Sequence, residues 1–379
     1  MKITDIRTAE VHGHGYSTYV RIYTDDGLTG TGECIHGGGG CPALVHEMTP
    51  LLLGEDPLDV ERLFETVRRR YLFNGALAGN AVTALTGIEI ALWNLAGKAL
   101  GVPVYRLLGG KFRDRIRLYC DCHAGRDDSP AAAAEKALEV LDRGFTALKF
   151  DLDDLSHPAK QDRYNHTASN AEVDSMVARV AAVREAIGPQ TDLAMDMHGR
   201  YDTPTGIRVA RELEPFRLLW LEEPVPPENV PAMREVKQST STPICAGENL
   251  YLRWGFRELI ETQAVDVIMP DLPKCCGLSE GRKIAALAET YYIPLAPHNV
   301  TGPLGTLASC HCCASVPNFL LLEWHWYDRP YWNDLLLTDQ PIIQEGHIAL
   351  PEAPGLGYEL NEDCARHYLR EGTALFGER

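Results

Sequence analysis

The sequence lacks long uncharged stretches. No segment approaches the roughly 18 apolar residues of a membrane span, and the opening residues Met-Lys-Ile-Thr-Asp-Ile-Arg have no apolar run of the kind found in signal peptides. These absences predict a cytoplasmic protein without a membrane partner. The eleven cysteines are therefore expected to be reduced thiols.

Positive charge is also scarce. Lysine and arginine total 36 against 53 acidic residues, which gives a formal net charge of −17. Nucleic acid is excluded as a partner, because phosphate binding needs a basic face. An anionic substrate would have to be held by local cations, namely a metal ion and a few Lys or Arg side chains.

Familiar nucleotide and zinc motifs are missing as well. The glycine-rich run at 36–40 has neither the G-x-G-x-x-G order nor a following Lys-Ser/Thr, so it predicts a loop and not a phosphate site. No two Cys-x₂-Cys pairs stand at a zinc-ribbon distance.

Two regimes of hydrophobic pattern divide the 379 residues. Residues 2–34 read as three strands and 42–108 as helices, which predicts an α+β domain over 1–115. From Ile116 onward, eight short apolar runs alternate with helical segments, a pattern typical of parallel strands closed into a barrel over 116–340. Residues 341–379 are turn-rich and are expected to return to the first domain.

Three carboxylates recur at the ends of predicted barrel strands. Asp196, Glu222 and Glu248 lie roughly 25 residues apart, about one strand-helix-strand repeat. Parallel strands would bring them together at the C-terminal face of the barrel, where they would repel one another without a hard cation between them. They predict a magnesium site, although any one of them alone could be a solvated strand-end carboxylate.

Other polar residues share these strand ends. Residues two apart on a strand point to the same side, so Lys149 and Asp151 share a face, as do Asp196 and His198. Asp271 and His298 end neighbouring strands, which would let the carboxylate fix the tautomer of the imidazole. Glu323 follows Leu320-Leu-Leu, and a carboxyl that leaves the strand from these apolar surroundings could stay protonated and donate a hydrogen bond.

These motifs together resemble the enolase superfamily and, within it, the mandelate racemase subgroup. The matching segments, in chain order, are Lys149-Phe-Asp151, Asp196-Met-His198-Gly-Arg200, Trp220-Leu-Glu222-Glu223-Pro, Gly247-Glu248-Asn, Met269-Pro-Asp271, Pro297-His298-Asn and Glu323. The resemblance implies an α/β fold: a (β/α)₇β modified TIM barrel with an α+β N-terminal capping domain completed by the C-terminal tail. It also implies a homo-oligomer.

The resemblance implies roles for these residues. The three carboxylates would bind Mg²⁺, Lys149 would add charge to the substrate carboxylate, and His298, oriented by Asp271, would remove the α-proton. Glu323 would help to stabilise the enediolate. His198 would protonate the leaving 3-hydroxyl, as in acid-sugar dehydratases, or would only bind a substrate hydroxyl.

One position departs from the racemases of this subgroup, which carry a second Lys where this chain has Asp151. Inversion needs a base on each face of the carbanion, whereas dehydration needs one base and one acid. The pattern therefore favours a dehydratase that converts an aldonate or aldarate to a 2-keto-3-deoxy acid. A racemase, epimerase or cycloisomerase that uses the same enediolate, and a non-catalytic binding protein, remain as alternatives.

Substrate contacts are the least determined part of the prediction. Asp151 is a candidate, and Arg200 could contact the substrate or form a structural ion pair. Asn74 and Tyr16 lie in stretches that cover the barrel in proteins of this subgroup and could select the substrate, but roles in the core or in loops fit them equally well.

Overall fold

The computed structural model describes the chain except residues 13–14, 36–39, 123–128, 155–157, 159, 161, 276, 327–329 and 378–379. Most of the predicted glycine-rich loop at 36–40 thus lies outside the described residues. Within the described residues, each helix is too short or too polar to cross a bilayer.

An antiparallel three-stranded meander begins the chain, as predicted. Its alternating residues Val20 and Ile22 are buried in one core with the long helix Asn80–Leu100, because side chains two apart on a strand share a face. The strands are β1 (Ile3–His12), β2 (Tyr16–Thr24) and β3 (Thr29–Cys34). The helices are α1 (Cys41–Met48), α2 (Val60–Arg70), α3 (Asn80–Leu100) and α4 (Val104–Leu107), with short 3₁₀ turns at Thr49–Leu51 and Leu72–Asn74.

Parallel strands then form a closed barrel. Strands β4 to β9 pair in chain order, and β10 closes the ring by pairing in parallel with β4. The position between β9 and β10 is occupied by Leu295, which bridges both Ile268 and Phe319. The strands are β4 (Arg115–Cys122), β5 (Ala147–Asp151), β6 (Asp192–Asp196), β7 (Trp220–Glu222), β8 (Ile244–Ala246), β9 (Val267–Ile268) and β10 (Leu322–Trp326).

Helices alternate with these strands in the described part of the chain. The short α10 (Leu272–Cys275) leads into α11, and β10 is followed by a 3₁₀ turn at Pro330–Leu335 instead of a barrel helix. The predicted (β/α)₇β topology is therefore confirmed. The barrel helices are α5 (Pro130–Asp142), α6 (Asn170–Ile187), α7 (Thr203–Glu212) with a 3₁₀ turn at Glu214–Phe216, α8 (Val230–Gln238), α9 (Leu252–Glu261), α11 (Gly277–Glu289) and α12 (Pro303–Ala314).

One layer of inward-facing side chains fills the barrel. The rings of Tyr119 and Trp220 meet edge to face there, with centroids 5.2 Å apart. Residues two positions further along each strand face the same way and stand nearer the C-terminal mouth. The layer consists of Tyr119, Ala147, Ala194, Trp220, Cys245, Val267, Met269, Ala296 and Leu321.

A buried carboxylate of the meander holds the start of α12. Glu33 on β3 accepts hydrogen bonds from the Thr301 hydroxyl at 2.9 Å and from the backbone N–H groups of Gly302 and Gly305 at 2.5 and 2.9 Å. A Cβ at position 302 would lie 2.5 Å from the Glu33 carboxylate, so this close approach requires glycine. The carboxylate also complements the helix dipole.

A second buried carboxylate holds the start of α11 in the same way. Glu89 on α3 accepts from the backbone N–H groups of Leu278 and Ser279, both at 2.9 Å, and from the Ser279 hydroxyl and the Trp93 indole N–H, both at 2.7 Å. Two barrel helices are thus capped by the first domain.

The C-terminal segment contacts the barrel first and the meander afterwards. Strands β11 (Ile343–Gln344) and β12 (His347–Ala349) form a hairpin, and β12 pairs antiparallel with the beginning of β4. After α13 (Glu362–His367), Leu369 bridges Val11, and Arg370 forms a 2.9 Å ion pair with Glu10, before a last 3₁₀ turn at Leu375–Gly377. The boundaries 1–115, 116–340 and 341–379 stay predictions.

Candidate active site

The site is the layer of side chains just above the buried barrel layer. Asp121, Lys149, Asp196, Glu222, Asp271, His298 and Glu323 each follow a member of that layer by two residues. The barrel strands therefore aim all of them at the mouth. Seven such positions on seven strands make a polar ring on a tightly packed floor.

Lys149 on β5 is the hub of this ring. Its Nζ lies 2.7 Å from Glu323, 3.1 Å from Glu222 and 3.2 Å from Asp196, and the side chain is only 1% exposed. Burial lowers the pKa of Lys149, but the charges of the three carboxylates raise it more, well above its ordinary value. The ammonium group is therefore a fixed positive charge at the centre of the mouth.

The three predicted metal ligands line one side of the hub. Asp196 and Glu222 are register partners on β6 and β7, whereas Glu248 follows β8 and turns towards His298, with 2.9 Å between Oε2 and Nε2. Burial and the charge of Asp196 raise the pKa of Glu222 well above its ordinary value. Glu222 Oε1 is buried without a hydrogen-bond partner. A lone buried oxygen among repelling carboxylates fits a hard divalent cation.

Two other triplets of potential ligand atoms converge more tightly in the described residues. They are His298 with Glu323 and His325, and Asp151 with Asp196 and His198, each set lying within 4.8 Å. The three predicted ligands do not form such a triplet in the described residues: Asp196 and Glu222 lie against Lys149, and Glu248 lies against His298.

His298 and Asp271 form a buried pair. The imidazole Nδ1 lies 2.7 Å from the Asp271 Oδ2, which leaves Nε2 facing Glu248 and, at 3.7 Å, Glu323. Burial lowers the pKa of His298, and the charges of Glu323 and Glu248 raise it more, to well above the ordinary value. The orienting contact expected between these strand ends is present.

His198 stands on the opposite side and is bound by a residue that the sequence reasoning missed. Its Nδ1 lies 2.5 Å from Asp153 Oδ1, while Nε2 is 3.6 Å from Asp196 and 3.9 Å from Asp151. Burial lowers the pKa of His198, but the Asp153 hydrogen bond and the charge of Asp196 raise it to about 11. Asp153 also forms an ion pair with Arg200, which corresponds to the second of the two roles expected for that residue.

Glu323 corrects an expectation. Its carboxylate does not lie in apolar surroundings: besides Lys149, it has His325 Nε2 at 3.4 Å and His298 Nε2 at 3.7 Å. Burial raises the pKa of Glu323, but Lys149 and the two histidines lower it more, to well below its ordinary value. A protonated Glu323 was therefore the wrong expectation, because barrel closure surrounds it with cationic groups.

Four further polar residues of the mouth were given no role by the sequence reasoning. His325 lies 3.3 Å from Asp121 across the seam where β10 meets β4. His325 follows Glu323 by two residues, the spacing that identified His198 after Asp196, so the same rule would have found it. Glu223, whose pKa burial and Glu248 raise to about 7, accepts a hydrogen bond from Asn249 at 2.9 Å.

Two predicted substrate-binding residues lie apart from this cluster. Tyr16 is 38% exposed, packs edge to face against His12 and lies beneath the Arg370 guanidinium. Asn74 is exposed at the end of the Leu72–Asn74 turn. The contacts described for them include no residue of the polar ring, and their roles stay predictions.

Comparisons with known proteins agree along the chain. Residues 5–109 match the mandelate racemase/muconate lactonizing enzyme N-terminal domain, and residues 132–364 match the enolase C-terminal domain-like family. A D-xylonate dehydratase of Haloferax volcanii is 47% identical over 378 residues, covering 100% of this chain and 91% of the relative. A D-galactonate dehydratase of Variovorax paradoxus is 35% identical, covering 98% and 95%.

A solved structure extends the likeness to the fold. The mandelate racemase/muconate lactonizing enzyme-like protein from Rubrobacter xylanophilus superposes with a TM-score of 0.96 at 52% identity, covering 99% of each chain. The chain belongs to the mandelate racemase/muconate lactonizing enzyme family of the enolase superfamily.

Proposed function

We propose that this protein is a Mg²⁺-dependent acid-sugar dehydratase, a hydro-lyase that converts an aldonate or aldarate to the 2-keto-3-deoxy acid. The observation that carries the proposal is the pair of histidines on opposite sides of the Lys149 cluster. Each has Nδ1 bound to an aspartate and Nε2 turned towards the carboxylates. Dehydration needs a base and an acid at separate positions, and this geometry supplies both.

Asp196, Glu222 and Glu248 would hold the cation, and their all-oxygen donor set favours Mg²⁺ over softer metals. When bound, the cation would supply positive charge to the substrate carboxylate as negative charge grows on it. Lys149 supplies a second, fixed positive charge to the same group.

His298 is the base in this scheme. Nε2 takes the proton from the carbon next to the carboxylate, and the C–H electron pair enters the enediolate. The base is the neutral form of the imidazole, in which Nδ1–H donates to Asp271 and the lone pair is on Nε2, on the side of the mouth. The ammonium of Lys149 stabilises the developing charge.

His198 is the acid. As the C3–O bond breaks, Nε2 gives its proton to the departing hydroxyl, which leaves as water. The resulting enol takes up a proton at C3 and becomes the 2-keto-3-deoxy acid. With Asp151 and not a lysine two residues after Lys149, no second lysine base is available there for inversion, which favours elimination.

The names of the relatives suggest where to look for the substrate. D-xylonate and D-galactonate are aldonates with a hydroxyl on C3, so both satisfy the proposed chemistry. The ten cysteines that the structure describes are all free thiols, which supports a reducing, cytoplasmic location.

The test is a panel of aldonates and aldarates, including D-xylonate and D-galactonate, incubated with the purified protein and Mg²⁺. We expect 2-keto-3-deoxy acid from at least one member, and none from the His298→Asn variant. Proton NMR in D₂O distinguishes the dehydratase from the alternative. If the panel members showed α-proton exchange or inversion and none lost water, the protein would be a racemase or epimerase and not a dehydratase.

A further inference from the structure

Asp153 lies beside His198 because of backbone pairing beyond the strand ends. The backbone N–H of Leu152 donates to the carbonyl of Asp196 at 2.7 Å and so continues the pairing of β5 with β6 by one step. The next side chain, Asp153, is only 6% exposed, whereas a carboxylate at a strand end is ordinarily solvated. Its burial therefore needs partners.

Those partners are both on the segment that carries His198. Asp153 Oδ1 accepts from His198 Nδ1 at 2.5 Å, and the other oxygen pairs with the guanidinium of Arg200. Burial raises the pKa of Asp153, but His198 and Arg200 lower it more, to below its ordinary value. The group is a buried carboxylate with one oxygen for each cation.

The backbone of His198 is also held in an unusual conformation. Its φ of 48° is left-handed, which costs energy for a residue with a side chain. The conformation is fixed by its N–H, which donates to Asp196 Oδ1 at 2.7 Å, and by the Gly199 N–H, which donates to the Glu223 carbonyl at 2.7 Å. The imidazole is thus anchored from both backbone and side chain, and 32% of the side chain remains exposed to the mouth.

We propose that Asp153 is a positioning residue for His198: it holds Nδ1–H and turns Nε2 towards the leaving hydroxyl, with Arg200 fixing the second carboxylate oxygen. The arrangement mirrors Asp271 and His298 across the Lys149 cluster. One pair serves proton removal at the α-carbon and the other serves departure of the hydroxyl at C3. This inference rests on the proposed dehydration, and it assigns Arg200 to the support of the acid and not to the substrate.

The experiment compares two rates on one sugar acid that the wild-type protein dehydrates. Asp153→Asn should lower water elimination by at least about 10-fold but by less than the roughly 10²–10⁴-fold expected for losing the acid itself. Exchange of the α-proton with D₂O should stay within about twofold, because His298, Asp271 and Lys149 are untouched. The exposed Asp174 on α6 provides the charge-matched control, Asp174→Asn, which should change neither rate.

Two further measurements separate positioning from a general structural role. The 3-deoxy-3-fluoro analogue, whose fluoride leaves without protonation, should recover most of the loss in Asp153→Asn. The double variant with His198→Asn should be no slower than His198→Asn alone, since both act on one step. Retained exchange shows that each variant is folded.

Several results would overturn the inference. Undiminished elimination in both Asp153→Asn and Asp153→Ala is one. An equal loss of exchange and elimination, an unchanged loss with the fluoro analogue, or additive losses in the double variant would each do the same. A wild-type protein that dehydrates no member of the panel would instead refute the proposed function, so the two failures are distinguishable.

Discussion

The buried carboxylate of Glu89 predicts a large loss of stability from a very small change. Glu89→Gln keeps the shape of the side chain but replaces one acceptor oxygen by an NH₂ donor. In the folded protein that carboxylate receives four donors, from Leu278, Ser279 and Trp93. The single oxygen of a glutamine can accept from the donors at one carboxylate oxygen only, and its NH₂ group then faces the donors at the other oxygen.

The magnitude follows from the donors left behind. Burial raises the pKa of Glu89 although the donors lower it, so the ionised group contributes little net stability by itself. The cost of substitution lies in buried N–H and O–H groups without an acceptor, about 1–3 kcal/mol each. Three of the four donors reach Oε1 and only the Leu278 N–H reaches Oε2, so the better amide orientation leaves that N–H and the new NH₂ group without an acceptor. We therefore expect a loss of about 3 kcal/mol.

Urea unfolding followed by fluorescence and circular dichroism measures this loss. Glu61→Gln is the matched control, because Glu61 also joins the first domain to α11 through a 2.8 Å ion pair with Lys283, but the two side chains are 58% and 35% exposed. That pair should be worth no more than about 1 kcal/mol. If Glu89→Gln lost no more stability than Glu61→Gln, the capping role of Glu89 would be wrong.

Three other predictions concern acid, metal and base. Burial lowers the pKa of His311 from 6.5 to about 4, so between these values the unfolded chain binds a proton that the folded protein excludes. The free energy of unfolding should therefore fall by about 2 kcal/mol between pH 7 and pH 5. Urea unfolding of the His311→Gln variant should lack this pH-dependent loss. EDTA should abolish turnover and Mg²⁺ restore it, while Glu248→Gln should raise the Mg²⁺ requirement by more than the roughly 10–100-fold typical of outer-shell partners; turnover by chelated enzyme would contradict this. His298→Asn should lose both turnover and α-proton exchange, and Asp271→Asn should lose up to about 10⁴-fold in rate while staying folded; exchange at the wild-type rate in His298→Asn would identify another base.

Many residues of the site could be predicted from their spacing in the sequence. Period-two alternation places Asp196, Glu222 and His298 above a small or aromatic residue of the barrel layer, and an apolar run followed by a polar residue is visible in the sequence. The alternation of strands and helices likewise indicates parallel pairing before any contact is known. Both signals are local, so a single sequence carries them.

What was missed depends on contacts between distant strands. The ionised state of Glu323 is set by Lys149, which lies on β5, six barrel strands earlier in the chain, and meets Glu323 only when β10 pairs with β4. An apolar triplet before Glu323 says nothing of that partner. Asp153 and His325 were within reach, since each follows a recognised residue by two, but their burial is a property of the closed barrel.

The hydrogen bonds from the start of α12 to Glu33 have a consequence for protein engineering and for evolution. The loop that it holds follows His298 directly, with Asn299 bonded to Glu323 at 3.0 Å. A barrel grafted beneath a foreign N-terminal domain would keep its base in place only if the new partner offered an acceptor at the same point. Among such proteins, exchange of the loops at the barrel mouth should therefore succeed, whereas exchange of a whole N-terminal domain should fail. The N-terminal domain and the barrel should accordingly evolve together.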